Sequence, residues 1–253
     1  MGPLREGWGR RELLLFLLWR EVKGETAKTL LGPVWVFLPL LAQVASWWFL
    51  LGWVLGMRLG EKSFLDYFLL GMVPWVMMTE VVQKSINALV QNTPLFMRAP
   101  FPLAALPLLP PLFAAILYTI PFALLAGLQE GALSGALAFL LVPAFLFWIL
   151  PGCYLFSALG VILPDAAKMI PLALNALFYL TPVLYPPQRF PAPLAWSLAL
   201  NPLADWMAIL HGVLESHAMP WASALRVCAL WIVSLGPSWY LFHKAGRLAR
   251  EVL

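Results

Sequence analysis

The sequence predicts an all-α, polytopic membrane protein with six transmembrane helices, an amino-terminal interfacial helix and a re-entrant outer hairpin between spans five and six. Three observations lead to this fold class. The chain is 62% hydrophobic and only 11% charged, whereas a soluble domain carries about 25% charged residues. Long charge-free runs recur along the chain, and basic residues cluster in alternate connecting segments. Residues 1–253 are therefore predicted to form one transmembrane domain.

The charge-free runs are long enough to cross a bilayer, because its core takes about 20 consecutive apolar residues per helix. The first run extends from Thr29 to Met57. Others follow at 67–79, 99–129, 131–164, 169–188 and 227–242. From these runs and the breaks between them, spans are predicted at about 34–57, 64–82, 103–127, 133–161, 169–184 and 222–242.

The amino-terminal segment 9–31 is predicted to be an interfacial helix with its connector. Between residues 9 and 23, charged side chains bracket a run of apolar ones, as in helices that lie along a membrane surface. Gly32 and Pro33 then break the chain, and a proline suits the first turn of the span that follows.

Proline residues and charges shape the middle of the chain. The helix of span two is expected to continue to about residue 91, and Glu80 can pair with Lys84 one turn later. Prolines in spans three and four predict kinks, which membranes tolerate where neighbouring groups satisfy the freed carbonyls. A tight turn at 164–168 leads into span five.

Residues 186–214 are predicted to be re-entrant segments on the outer side. They are too rich in proline for a continuous span, yet too apolar for an ordinary exposed loop. Irregular backbone at membrane depth persists only where protein buries it, which favours two short helices dipping into the outer leaflet.

The distribution of basic residues predicts that both termini are cytoplasmic in a multi-pass inner-membrane protein. If the amino terminus is cytoplasmic, the cytoplasmic segments hold most of the 16 lysines and arginines. The outer segments hold only Arg58, Lys62, Arg189 and Arg226. This bias follows the positive-inside rule and requires an even number of spans. It also explains the net charge of +4 without a nucleic-acid partner.

The residues indicate no catalytic centre. The chain contains no Gly-Lys dipeptide and so no phosphate-binding P-loop, which assigns any ATP hydrolysis to another chain. His211 and His217 are six positions apart, a spacing that favours an outer polar cluster over two metal ligands on one helical face. Ser134 lacks the glycine pattern of a serine nucleophile. Only Glu80 approaches membrane depth, which disfavours an ion-coupled carrier.

The aromatic residues leave two interpretations open. Tryptophan and tyrosine form belts at membrane interfaces, and packing or such a belt accounts for many of the 13 tryptophans. The alternative is that part of the set lines an inner channel surface, where rings can stack on sugars. The candidates for that surface are Trp47, Trp48, Trp75, Tyr118, Trp148 and Tyr179.

Three motifs resemble the membrane subunit of polysaccharide and O-antigen ABC exporters, in the ABC-2 permease family. They are Arg20-Glu21-Val22-Lys23 followed by Leu31-Gly32-Pro33-Val34-Trp35; the stretch 92–102 from Asn92-Thr93-Pro94 to Pro102; and Pro182-Val183-Leu184-Tyr185-Pro186 with Asn201-Pro202-Leu203 downstream. The resemblance covers roughly residues 15–245. The chain departs from the family at Glu25-Thr26, where an Arg-Tyr pair is common, and at Met97, where a lysine is common.

The resemblance implies a channel-forming permease subunit that exports lipid-linked polysaccharide. Such a subunit forms a homodimer with two copies of a cytoplasmic ABC ATPase, and ATP and magnesium belong to that partner. Residues 92–98 would be the coupling helix that docks on the ATPase, through Asn92, Thr93, Pro94, Leu95, Phe96 and Arg98. The re-entrant residues that would close the pore from outside include Tyr185, Pro186, Arg189, Asn201 and Pro202.

One further hypothesis comes from charge alone. Arg20, Lys23 and Lys28 lie where a lipid pyrophosphate headgroup would approach from the inner leaflet, and basic clusters attract such anions. The ordinary positive-inside bias explains the same three residues equally well. Competing functions are a teichoic-acid-type or small-molecule ABC-2 exporter and a membrane-embedded glycan or lipid transferase. The transferase would need acidic or histidine groups facing a shared cavity, and the spans offer almost none.

Overall fold

A computed structural model of the chain describes residues 14–21, 23–24, 34–59, 62–93 and 102–252. In this part of the chain, five helical segments are long and apolar enough to cross a membrane, which confirms a polytopic membrane protein. Residues 14–21 and 23–24 are helical. The remaining helices are α1 (Val34–Trp47), α2 (Phe64–Gln91), α3 (Leu109–Glu130), α4 (Ala132–Ile162), α5 (Ala166–Tyr179), α6 (Ala195–Leu200), α7 (Pro202–Ser216) and α8 (Trp221–Val252).

Several shorter elements accompany these helices. A π-helical segment, Trp48–Val54, continues α1, and a 3₁₀ segment, Leu103–Leu108, leads into α3. Two more 3₁₀ turns, Pro187–Arg189 and Ala192–Leu194, precede α6. The all-α prediction omitted one feature, a pair of two-residue antiparallel strands, β1 (Arg58–Leu59) and β2 (Lys62–Ser63). The chain reverses direction there between α1 and α2, and the pairing satisfies backbone groups that neither helix can.

Helix α2 lies at the centre of the molecule. In the stretch of α2 that could cross the membrane, 61% of the residues are buried, which is the largest share among the five described spans. Phe68, Met72 and Met77 are almost fully enclosed and join residues from α3, α4, α5 and α7 in one hydrophobic core. Dispersion contacts of this kind hold helices together in a membrane, where lipid tails are as apolar as leucine.

Glycines allow two helix pairs to approach closely. A Cβ added at Gly160 of α4 would overlap the backbone carbonyl of Ile86 in α2. A Cβ added at Gly135 of α4 would lie 2.9 Å from the carbonyl oxygen of Ala123 in α3. Small residues at such crossings let backbones pack directly, a common device in membrane proteins.

The two ends of the bundle are distinguished by what packs there. At the end that we call the terminal end, Leu17 and Leu18 form a cluster with Leu89, Phe113 and Phe242. The amino-terminal segment and the last turns of α8 therefore lie together. At the opposite, distal end, the α3–α4 turn at Gly131 and the last turn of α7 lie together.

The predicted fifth span, 169–184, corresponds to a shorter helix. α5 has 14 residues, a length of about 21 Å at 1.5 Å per residue. That is less than the hydrocarbon thickness of about 30 Å. The helix ends before Thr181-Pro182, because a proline disfavours the helical conformation in the residue before it. Residues 180–185 continue as turns, and Val183 packs 3.5 Å from where a Cβ on Gly71 would lie.

The predicted re-entrant region, 186–214, contains the two 3₁₀ turns, α6 and most of α7. Its break at Asn201-Pro202 is the start of α7. The side-chain oxygen of Asn201 accepts a hydrogen bond from the Leu203 amide at 3.0 Å, and Pro202 occupies the first helical turn. Asparagine is among the preferred N-cap residues, and proline suits the first turn.

Candidate coupling site and distal cavity

The amino-terminal helical segment is joined to the end of α2 at the terminal end. The guanidinium of Arg20 donates a hydrogen bond to the side-chain oxygen of Asn92 at 2.9 Å. The Asn92 amide nitrogen in turn donates to the carbonyl oxygen of Ala88 at 2.8 Å. Asn92 is the first residue of the predicted coupling helix, so this contact connects the segment at the predicted membrane surface to the predicted ATPase-docking segment.

Lys84 is the centre of the same site. Its ammonium lies 3.2 Å from Glu80 and 3.5 Å from Glu21 of the amino-terminal segment. It also lies 3.9 Å from the ring centroid of Phe113 in α3, a distance suited to a cation–π contact. The hydroxyl of Tyr118, also in α3, donates to Glu80 at 2.7 Å. The predicted pairing of Glu80 with Lys84 is confirmed.

Sequence reasoning missed the other members of this site. An acid and a lysine four positions apart on one helix are visible in the sequence. Glu21, Phe113 and Tyr118 reach Lys84 or Glu80 from other helices, and no local pattern signals such contacts. Together they make a network of hydrogen bonds and charges between the amino-terminal segment, α2 and α3. The arrangement can transmit a displacement among these three elements, since each polar contact fixes the relative position of two of them.

The predicted docking and headgroup residues are only partly described. Thr93 donates from its hydroxyl to the Val90 carbonyl at 2.8 Å and so extends the end of α2. Pro94, Leu95, Phe96 and Arg98 lie outside the described residues, as does Lys28. Lys23 is exposed, and its ammonium lies 4.9 Å from the centroid of the Trp19 ring.

A cavity of about 540 Å³ lies at the distal end, between α2, the turn after α5, and α7. The rings of Tyr67 and His211 stack in it, with centroids 4.0 Å apart and planes within 7°. His211 Nδ1 lies 2.5 Å from a carboxylate oxygen of Glu215. Two residues predicted for the outer closure, Pro186 and Arg189, line the same cavity.

The turn after α5 is fixed by hydrogen bonds from two directions. The Tyr67 hydroxyl lies 3.2 Å from the carbonyl oxygen of Pro182 and 3.1 Å from that of Tyr185. The Asn201 amide donates to the Thr181 hydroxyl at 2.8 Å and to the Leu180 carbonyl at 3.2 Å. The turn is thereby held to both α2 and the start of α7.

The remaining predicted outer residues take part in the same region. The Tyr185 hydroxyl donates to the Tyr179 carbonyl at 2.5 Å, and partial burial raises the pKa of Tyr185 above its ordinary value. The phenol therefore stays neutral and remains a donor at physiological pH. Asp205 of α7, which was not predicted, holds Arg226 of α8 through three hydrogen bonds of 2.5–3.1 Å. That pair connects the region to the last helix.

The six predicted channel aromatics lie in different surroundings. Trp75 and Tyr118 are buried inside the protomer, with 4% and 1% of their surfaces exposed. They pack in its core. Trp148 is half-buried and donates to the Val227 carbonyl of α8 at 2.9 Å. Trp48 and Tyr179 are exposed, and Trp47 contacts Tyr179 with ring centroids 6.4 Å apart.

The described ranges contain no group of three or more histidine, cysteine, aspartate or glutamate residues that could hold a metal ion. His217 Nε2 lies 3.1 Å from the hydroxyl of Ser134, a contact that the sequence did not suggest. Ser134 is fully buried, and its hydroxyl donates to the Leu214 carbonyl at 2.7 Å. The pair therefore fastens α4 to α7, and the Ser134 hydroxyl is not accessible from outside the protein.

Comparison with known proteins adds to this geometry. No family model matches the chain. The O-antigen export system permease protein RfbA of Myxococcus xanthus is 27% identical over 245 residues, which cover 91% of this chain and 93% of that protein. A protein of the same name from Klebsiella pneumoniae is 24% identical over 257 residues, covering 96% and 95%. The polysialic acid transport protein KpsM of Escherichia coli is 26% identical over 196 residues, covering 75% of each.

These relatives agree with the family resemblance that the sequence suggested. The chain is similar, over most of its length, to O-antigen export system permease proteins and to a polysialic acid transport protein.

Proposed function

We propose that this chain is the permease subunit of an ATP-driven exporter of lipid-linked polysaccharide. The observation that carries the proposal is the similarity to O-antigen export permeases over more than nine-tenths of both chains. Five apolar helices of membrane-spanning length support it. ATP hydrolysis then belongs to a separate ATPase, and this chain contributes the path for the glycan.

Six crossings of the inner membrane are part of the proposal, with α5 and residues 180–184 as the fifth. The start of α5 follows α4 at the terminal end, where Gly160 lies against Ile86. Residues 182 and 185 reach Tyr67, in the first turn of α2 at the distal end. The chain thus rises through most of the bundle over this stretch. Six crossings also suit the packing of Leu17 with Phe242, which brings the two termini to one side.

The terminal end is proposed to face the cytoplasm. Arg20, Lys23, Lys84, Lys244 and Arg247 are all near it, and positively charged loops stay preferentially on the cytoplasmic side. The coupling site described above, centred on Lys84 and Asn92, would then be at the membrane surface where a cytoplasmic ATPase docks. The segment 92–98 is proposed as the docking element.

A homodimer is proposed because α1 and the π-helical segment that continues it are poorly covered by their own protomer. Only 6% of the residues of the apolar stretch Phe37–Val54 are buried. Leu41, Phe49 and Trp53 each expose more than half of their surface. A second copy can cover such a face, and Trp47, Trp48 and Tyr179 are proposed to line the channel beside it. Aromatic faces there would stack on sugar rings of different kinds.

Two further predicted sites, the lipid-headgroup site and the outer closure, are also part of the proposal. Lys23 and Lys28 are proposed to attract the phosphate groups of the lipid carrier, while Arg20 is engaged with Asn92. The turns and helices of 186–214 are proposed to close the channel at the outer side. Tyr67 and Asn201 support the second proposal, since they hold the turn after α5 on both sides.

The experiment that tests the function is deletion of the chain in its own host. Cells without it should keep the lipid-linked glycan on the inner face of the membrane and lose it from the surface. The tagged chain should co-purify with a cytoplasmic ABC ATPase. Normal surface glycan in the deletion strain would overturn the proposal, and loss of teichoic acid or of a small molecule instead would support the corresponding rival exporter.

A further inference from the structure

We propose that the distal cavity is a binding site for a neutral, polyhydroxylated sugar unit of the emerging glycan. The choice of the exported glycan as ligand rests on the proposed function. The preference of the cavity for a neutral hydroxylated compound rests on its own residues. The two halves of the proposal therefore have separate tests.

The cavity has the form of a small-molecule site. Its volume of about 540 Å³ falls within the ~300–1,000 Å³ usual for ligand pockets. Tyr67 and Met207 are buried and form its floor, and Gln188 and Arg189 are exposed at its rim. Three proline residues and the methionine supply apolar wall, so a few polar groups stand in a largely apolar setting, as in most sites that orient a ligand.

The charges in the cavity favour a neutral ligand. Glu215 is negative and Arg189 is positive, and both line the same space. An anion such as a phosphate would meet the Glu215 carboxylate, and a cation would meet the Arg189 guanidinium. A sugar avoids both conflicts, because each hydroxyl donates one hydrogen bond and accepts others.

His211 gives the most specific indication of a hydroxyl. Its Nδ1 faces the Glu215 carboxylate, which accepts a hydrogen bond from it. Its Nε2 is buried and has no hydrogen-bond partner among the described residues. Buried polar atoms of this kind usually have a partner, and the missing one calls for an explanation. Nε2 accepts a hydrogen bond in neutral histidine and donates one in the charged form, and a hydroxyl can serve in either case.

The position of the cavity gives such binding a consequence for export. The cavity is enclosed by the turn 186–189 on one side and α7 on the other, which are the two parts of the proposed outer closure. A sugar bound there contacts both parts at once. The bound sugar would therefore hold the two parts of the closure around the glycan chain as it leaves the channel.

The test in cells uses cysteine protection. Ala208 lines the cavity and is replaced by cysteine in a chain carrying Cys228→Ser, since Cys228 is exposed and Cys153 is buried. Ala199→Cys is the matched control, because Ala199 is exposed on α6 and does not line the cavity. Spheroplasts are treated with a membrane-impermeant maleimide, with and without deletion of the first glycosyltransferase of the host's glycan.

The expected result is that glycan synthesis slows labelling at position 208 about tenfold, the effect of a ligand at about ten times its Kd. Labelling at position 199 should be unchanged. Adding Glu215→Gln should remove most of the protection, since loss of a charge-assisted hydrogen bond weakens binding about tenfold. Equal labelling at 208 with and without the glycan overturns the proposal. Protection that survives Glu215→Gln also overturns it, because movement of the closure alone would then explain it.

The second test uses the purified chain and two probes. One is the monosaccharide mixture released by acid hydrolysis of the host's surface glycan, and the other is inorganic pyrophosphate. The monosaccharides should slow maleimide labelling at position 208, and pyrophosphate should not. The opposite pattern overturns the sugar site while the exporter function stands. If the control at 199 fails to react from outside the cell, the proposed orientation and function fail instead.

Discussion

Arg20 and Asn92 are 72 positions apart in sequence, yet the guanidinium of one donates to the side-chain oxygen of the other at 2.9 Å. The contact places the amino-terminal segment directly on the first residue of the proposed docking element. A force applied to residues 92–98 therefore reaches two elements, α2 through the chain itself and the amino-terminal segment through this hydrogen bond.

Asn92→Ala should impair export more than it impairs assembly. The substitution removes the acceptor for Arg20 and also the amide that donates to the Ala88 carbonyl at the end of α2. Transport per ATP hydrolysed should fall about fivefold to tenfold, the effect of losing the hydrogen bond to the charged guanidinium. The measurement is ATP hydrolysis and glycan export by the same reconstituted complex. Arg247→Gln, an exposed change near the end of α8, is the control. Unaltered export by Asn92→Ala would show that the contact has no part in coupling.

Phe96→Asp should separate ATP hydrolysis from export. A carboxylate in the apolar face of the proposed docking element cannot be buried in a groove of the partner without a large desolvation cost. The ATPase should co-purify at least tenfold less well with this variant, as expected when a central aromatic residue of an interface is lost. Phe96→Leu is the matched control and should retain the ATPase. Normal export by Phe96→Asp would refute the docking assignment.

Replacing Lys23 and Lys28 by glutamine should reduce export while assembly survives. Each basic residue near an anionic surface contributes about 1 kcal/mol of attraction. Loss of two should raise the amount of lipid-linked glycan needed for half-maximal export by about tenfold or more. The double variant Lys244→Gln with Arg247→Gln, in the exposed part of α8, serves as the charge-matched control. If both variants behave alike, the positive-inside bias alone explains these lysines.

Gly160→Ala should destabilise the fold strongly. The added methyl group would overlap the Ile86 carbonyl oxygen, and backbone cannot move aside as a flexible side chain can. Overpacking of this kind costs about 3 kcal/mol or more where the neighbour is fixed. Gly236→Ala is the control, because nothing lies within 4 Å of a Cβ at that position. Thermal unfolding of the two purified variants should differ clearly, and equal midpoints would contradict the close α2–α4 crossing.

Two substitutions at Asn201 should separate its two roles. Asn201→Asp keeps the N-cap acceptor for α7 but loses the amide that donates to Thr181 and Leu180, and Asn201→Ala loses both groups. The alanine variant should be destabilised by about 3 kcal/mol, from one cap and two hydrogen bonds. The aspartate variant should lose about 2 kcal/mol, from the two hydrogen bonds alone. Stability is read from denaturant unfolding in detergent, and equal losses for both variants would mean that only the donor contacts matter.

Local sequence patterns predicted the local features of this molecule. The pairing of Glu80 with Lys84 lies within one turn of one helix, and the start of α7 at Asn201-Pro202 follows from capping preferences. The sequence located the spans because a long apolar run is stable in the core of a bilayer and unstable in water. The helix within the predicted fifth span ends at Tyr179, because hydropathy does not register the helix end that Pro182 imposes.

Long-range contacts could not be predicted in the same way. Tyr118 reaches Glu80 from another helix, and Tyr67 meets His211 across more than half of the chain. The prediction also grouped buried Trp75 with exposed Tyr179. Helices that are apolar on all sides carry no periodic signal that separates the protein-facing side from the lipid-facing side. Only the packed structure distinguishes these residues.

Helix α2 is unbroken over its 28 residues, from Phe64 to Gln91. At one end Tyr67 holds the turn beside the distal cavity, and just beyond the other end Asn92 holds Arg20. A helix of this length spans about 42 Å, and its interior Pro74 removes one backbone hydrogen bond, so the helix can bend there. Because no loop separates its two ends, tilting the helix at the proposed ATPase side would still move the turn beside the distal cavity, the proposed sugar site.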